Sequence, residues 1–192
     1  MYKLLVTLLV FCAINPAYGK EAEKTIITAS ETVSNKMTSV EKRVREAAVR
    51  VNDHYEGGHG SGTLIEHKGL QLVITAKHVV PRVVGTEYEV EKGDEKLTGI
   101  VIYSNYWKDV AVLYLPEPFK NIQPMKWRPV DKILEVGEEI TYSGYPSDHK
   151  LMTLRGRVIG YEEPTGMGTQ MIIHTYGWFG CSGSGVFDAK GN

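Results

Sequence analysis

Gly62-Thr63-Leu64-Ile65-Glu66-His67-Lys68-Gly69-Leu70-Gln71-Leu72-Val73-Ile74-Thr75 is the stretch on which the fold turns. It holds two short β-branched runs, Gly62 to Glu66 and Leu70 to Thr75, parted by a break that contains glycine. Such runs are too short for helices and suit strands of a pleated, half-buried surface. The same texture extends outward on both sides. Before it lies Ala48 to Asn52; after it come Glu87 to Glu91, Leu97 to Ser104 and Val110 to Leu115, with Gly, Pro, Asn and Asp recurring about every ten residues. This spacing predicts an all-β barrel or sandwich, and the strands between residues 47 and 115 make one small barrel.

Pro116, Pro118, Pro124 and Pro129 follow, and a segment so rich in proline neither propagates a helix nor fills a central strand. Residues 116–135 therefore read as a linker. Beyond it, Glu138 to Gly144, Leu151 to Tyr161, Met171 to Tyr176 and Gly185 to Asp188 are again short and bounded by turns, and they form a second unit over residues 136–192. Upstream of the barrel, residues 20–46 are a polar leader with a short helix from Ser39, which is expected to act as N-cap and to feed a solvated helix into the first strand.

The first 19 residues carry Lys3, an apolar run from Leu4 to Ile14 and small residues at Ala17 and Gly19, the pattern of a secretory signal peptide. Asn15 and Pro16 interrupt the run too early for a membrane anchor, which needs about 17 to 25 apolar residues. The expected destination is secreted or periplasmic, with no membrane attachment after cleavage. Removal of that segment leaves Cys181 alone, so no internal disulfide is expected and stability rests on core packing. With 22 Lys and Arg against 23 Asp and Glu, the chain lacks the basic footprint that nucleic acid or an anionic membrane would select.

Three segments carry chemistry. In Gly180-Cys181-Ser182-Gly183-Ser184-Gly185, glycines on both sides let the backbone turn sharply, and the N–H groups of Gly180 and Ser182 can aim at one point as an oxyanion hole. A Gly/Ser-rich turn between strands explains the segment equally well. Leu72 to Thr75 runs into Ala76-Lys77-His78, placing a histidine at a strand end, where an imidazole could act as the base a serine hydroxyl needs. His54, His59, His67, His149 and His174 lack that setting. Asp109 opens the apolar strand Val110 to Leu115; a buried carboxylate there could bond the second imidazole nitrogen and fix its tautomer, or merely cap a turn. The order His78, Asp109, Ser182, with each residue in its own appropriate frame, makes the three signals reinforce one another.

Thr75-Ala76-Lys77-His78, Asp109-Val110-Ala111-Val112-Leu113 and Gly180-Cys181-Ser182-Gly183-Ser184 resemble the three signature blocks of trypsin-like (chymotrypsin-fold) serine peptidases. Gly60-Ser61-Gly62-Thr63-Leu64-Ile65, Val136-Gly137 and Gly144-Tyr145-Pro146 are similar to HtrA-type exported proteases, and the likeness runs from about Ala47 to Asn192. The resemblance implies two packed antiparallel six-stranded β-barrels with a cleft between them. It implies a serine endopeptidase acting on polypeptide substrates through His78, Asp109 and Ser182, without metal or organic cofactor. Gly180 and Ser182 would be the oxyanion donors, and Tyr176 and Gly177 would line the substrate pocket.

The chain departs from that family in ending at Asn192, where relatives continue through further strands, so the second barrel is expected to be incomplete. The alternative reading is a degenerate module that binds polypeptide without turnover. Cys181 as nucleophile is disfavoured, because the glycine that should follow a nucleophile follows Ser182 instead. A metal hydrolase finds no His-Glu-x-x-His or clustered Cys/His spacing.

Overall fold

The computed structural model describes residues 36–126, 133–164, 166 and 168–192; the signal peptide assigned to residues 1–19, most of the leader and part of the expected linker lie outside them. The order of elements is α1 (Ser39–Ala47), β1 (Ala48–Asn52), β2 (His59–His67), β3 (Leu70–Thr75), a 3-10 turn (Lys77–Val79), β4 (Glu87–Lys92), β5 (Glu95–Asn105), β6 (Val110–Tyr114), β7 (Met125–Lys126), β8 (Glu139–Gly144), β9 (Met152–Glu162), β10 (Gln170–His174) and β11 (Val186–Asp188).

The chain is mostly β. β1, β4, β5, β6, β3 and β2 pair in that order, all antiparallel, and β1 pairs with β2 to close the ring. Alternation along the strands sends one side chain in two to the interior, where Val49, Val51, Leu64, Val73, Val90, Val101 and Leu113 are fully buried. A register shift between Val101 and Tyr103 in the β5–β6 ladder adds the local bend that a small closed barrel requires.

The segment after β6 is better anchored than a free linker. Phe119 is buried, and the Gln71 side chain both donates to the Phe119 carbonyl and accepts from the Phe119 N–H, each at 3.0 Å. β7 then adds to β2 as a parallel edge strand, with Pro124 just before it at a position where a missing N–H costs no ladder bond. In the second half, β10, β9, β8 and β11 form a four-stranded antiparallel sheet. These are the four strands expected from the sequence.

The helix differs from expectation in two ways. Its N-cap is Thr38 and not Ser39, because Thr38 and Glu41 stand at the spacing of a capping box: the Thr38 hydroxyl accepts from the Glu41 N–H and the Glu41 carboxylate accepts from the Thr38 N–H. Nor is it a solvated helix. Val44 and Ala47 enter the core, and Glu41, 5% exposed, forms a two-pronged ion pair with the Arg155 guanidinium on β9. Arg45 adds a bond to Thr153 on the same strand. Lys92, half-buried, donates at 2.7 Å to the carbonyls of Arg45 and Ala48, satisfying acceptors that a helix end leaves open. Thus α1 ties the barrel to the second sheet.

Candidate active site

β3 delivers its last residue, Thr75, to the rim of the barrel, and the chain turns through the 3-10 segment Lys77–Val79. Val79 and Val80 are buried and hold this turn down, which leaves the His78 side chain outward, 57% exposed. Asp109 meets it from the start of β6. Its carbonyl accepts from the Lys77 N–H at 3.1 Å, its Oδ1 accepts from the His78 N–H at 2.9 Å, and its Oδ2 lies 2.6 Å from His78 Nδ1. To do this Asp109 takes φ of 47°, a left-handed conformation that aspartate tolerates better than most residues. Because a carboxylate only accepts, Nδ1 carries a proton, which in the neutral ring leaves the lone pair on Nε2. The Asp109 side chain is 45% exposed, so the burial expected from the sequence is not found: the His78 turn stands at the barrel rim and the pair faces solvent.

Ser182 arrives from the other half on the turn between β10 and β11. The Ser61 N–H donates to the Ser182 carbonyl at 2.8 Å, and the Ser61 hydroxyl donates to the Gly180 carbonyl at 2.7 Å while accepting from the Tyr145 N–H at 2.9 Å. One fully buried serine of β2 thereby holds two points of the Ser182 turn and one point of the segment after β8. Gly183 makes the closest approach. At φ of 89°, a β-carbon there would stand 2.2 Å from the Ser61 carbonyl oxygen and 2.8 Å from the Ala76 nitrogen, backbone atoms that cannot retreat. Glycine at 183 is thus what seats the serine turn against Thr75 and Ala76, just ahead of His78.

Gly180 is also left-handed and packs on the Tyr145 carbonyl and the His59 ring. Arg50 donates to His59 Nδ1 at 3.1 Å, so Nε2 carries the ring proton and donates to the Tyr145 carbonyl at 2.9 Å. His59 is therefore a structural support of the turn. Among the described residues, the N–H groups of Gly180 and Ser182 make no internal hydrogen bond, and no hydrogen bond joins the Ser182 hydroxyl to His78.

A cleft of about 360 Å³ opens beside Ser182, lined by Tyr142, Ile173, Thr175, Tyr176, Gly177, Trp178, Cys181, Ser184 and Val186. Among the described residues its lining contains no charged side chain. Tyr176 and Gly177 are among its lining residues. The Tyr142 hydroxyl at its base donates to the Tyr176 carbonyl and stands 3.7 Å from Cys181 Sγ.

With these elements in place, the sequence profile of the trypsin-like peptidase domain matches residues 60–192. The chain belongs to the trypsin-like peptidase family. Three solved structures are similar to it in fold. Deg5 superposes with a TM-score of 0.66 at 18% identity, over 85% of this chain and 82% of that one. Rv3671c protease from M. tuberculosis H37Rv, in its inactive form, gives a TM-score of 0.62 at 21% identity over 80% and 78% of the two chains, and an inactive serine-to-alanine mutant of it gives 0.62 at 20% identity over 80% and 75%. No curated protein matches the sequence.

Within this trypsin-like peptidase domain, two contributors escaped the sequence reading. In the sequence Ser61 stands out only as part of a block of family likeness, because its grip on Gly180 spans 119 positions. Tyr142 reaches 34 positions to Tyr176, and an aromatic residue in a strand carries no one-dimensional mark of such a role.

Proposed function

We propose that this trypsin-like peptidase is an exported serine endopeptidase in which Ser182 is the nucleophile, His78 the general base and Asp109 the group that orients the imidazole. The observation that carries the reading is the double hold of Asp109 on His78, backbone and ring, beside a serine turn that Gly183 and Ser61 seat on the same rim. His78 Nε2 takes the Ser182 proton as Oγ adds to the peptide carbonyl, and Asp109 stabilises the imidazolium that results. The N–H groups of Gly180 and Ser182, which make no internal hydrogen bond among the described residues, receive the developing oxyanion. His78 then returns the proton to the leaving amine, the C–N bond breaks, and water resolves the acyl-enzyme with His78 again as base. Catalytic hydrogen bonds commonly tighten only in the reacting complex, and the Ser182–His78 bond is expected to form there.

Cleavage of an unfolded protein substrate tests the proposal. Loss of Ser182 (Ser182→Ala) should reduce turnover by about 10³-fold or more, and His78→Ala should act comparably because the two work as a unit. Wild-type turnover no greater than that of folded Ser182→Ala, with the substrate still bound, would favour a module that binds polypeptide without cutting it. Export is proposed from the signal-like first 19 residues. N-terminal sequencing of protein recovered outside the cytoplasm should begin at Lys20; retention of Met1 in the recovered protein would refute cleavage.

A further inference from the structure

The loop that precedes Ser182 has little packing of its own. Gly177 has no side chain, and Trp178 and Phe179 are 57% and 83% exposed, touching each other edge to face. On the barrel side the loop is tied through backbone groups, with Ser147 N–H donating to the Phe179 carbonyl and Ser61 holding Gly180 and Ser182. On the cleft side, among the described residues, the side-chain hydrogen bond that reaches it comes from Tyr142. Tyr142 of β8 is 4% exposed, its ring at the cleft base, and its hydroxyl donates to the Tyr176 carbonyl at the upstream end of the loop. At the downstream end stands Cys181, with Sγ 3.7 Å from the same hydroxyl.

A phenol has one proton but two lone pairs. With the proton given to Tyr176, the oxygen can still accept from the Cys181 S–H, so a single hydroxyl joins both ends of the segment that bears the Gly180 N–H. Burial, reinforced by the contact with Cys181, pushes the Tyr142 phenol well above its ordinary value, which keeps it protonated and able to donate throughout the working pH range. Phenylalanine would fill the same space without making either link.

We propose that Tyr142 is a positioning residue for hydrolysis: its hydroxyl, joined to the Tyr176 carbonyl and the Cys181 thiol, holds residues 176–182 so that the Gly180 and Ser182 N–H groups face the reacting carbonyl. The inference rests on the serine-peptidase reading for its catalytic consequence, but the holding of the loop is a separate physical claim. Displacement of oxyanion donors by about an ångström costs on the order of 100-fold in rate, so partial release of the loop predicts a loss of about 10- to 100-fold in kcat.

The experiment compares wild type, Tyr142→Phe, Cys181→Ala and the double variant. Hydrolysis of a peptide ester gives kcat and KM, and alkylation of Cys181 by iodoacetamide, followed by mass spectrometry in the two chains that retain it, reports on the loop without requiring catalysis. Tyr142→Phe should melt within a few degrees of wild type, lose about 10- to 100-fold in kcat with KM changed less than about threefold, and show Cys181 alkylated several-fold faster. The double variant should be no slower than Tyr142→Phe, because both changes break one link. Wild-type kcat in folded Tyr142→Phe, an unchanged alkylation rate, or losses that simply multiply in the double variant would each overturn the proposal. Absence of hydrolysis by wild type would refute the serine-peptidase reading instead, and the alkylation rates would then decide the loop claim alone.

Discussion

The barrel and the second sheet are built from similar short strands, yet they reach order by different means. In the barrel the ring of hydrogen bonds closes on itself, and six of its strands send fully buried side chains into one interior, from Val49 on β1 to Leu113 on β6. The second sheet has few such residues: Val158, Ile140 and Tyr142 are buried, while Met171, Ile172 and Ile173 of β10 are only partly covered. Its order comes in large part from what it touches. Glu41 and Arg45 of α1 grip β9, Ser61 grips the Ser182 turn, and Gly183 fits where no larger residue can. The lesson is that the barrel supplies stability, and that the relation of Ser182 to His78 depends on a few polar ties between the halves.

The comparison can be broken at its strong side first. Leu113→Ala empties the barrel interior and should cost about 3–5 kcal/mol in denaturant unfolding. Ser61→Ala should come next, at roughly 2–4 kcal/mol, since it strips partners from the Gly180 carbonyl and the Tyr145 N–H; it should also slow reaction at Ser182 more than its stability loss explains.

Glu41→Gln should cost about 1–3 kcal/mol at neutral pH, and its effect should depend on acidity. The Arg155 guanidinium holds the Glu41 carboxyl at about 2, below its ordinary 4.5, so in this interval the unfolded chain binds the extra proton. The stabilisation is therefore complete above about pH 4.5 and is lost as pH falls toward 2, a slope that Glu41→Gln should remove from unfolding curves measured across that range. Smallest of the four, Ile173→Ala on the partly covered β10 should cost under about 1.5 kcal/mol, because little apolar surface is returned to water. If it matched Leu113→Ala, the contrast between the halves would fail.

What could be read in one dimension was local. The runs Ala48 to Asn52 and Leu70 to Thr75 became β1 and β3 with those bounds, because β-branched alternation and flanking breakers are properties of neighbouring residues. His78 at a strand end and Asp109 before a strand were legible for the same reason, and the structure brings that pair within 2.6 Å. Contacts across the sequence were not legible. The thin apolar stripe of Val44 and Ala47 suggests a solvated helix; what one dimension does not carry is the pairing of the buried Glu41 with Arg155, 114 positions away. The exposure of Asp109 escaped prediction because an apolar strand following an acid says nothing of the side to which that acid turns.

The central claim, that the two halves converge to activate Ser182, is tested most directly with a fluorophosphonate probe and mass spectrometry of the folded protein. The account predicts a single adduct on Ser182, absent from Ser182→Ala and slowed by about 10³-fold or more in His78→Ala. Folded wild-type protein that stays unlabelled, or that carries its adduct on another residue, would contradict it.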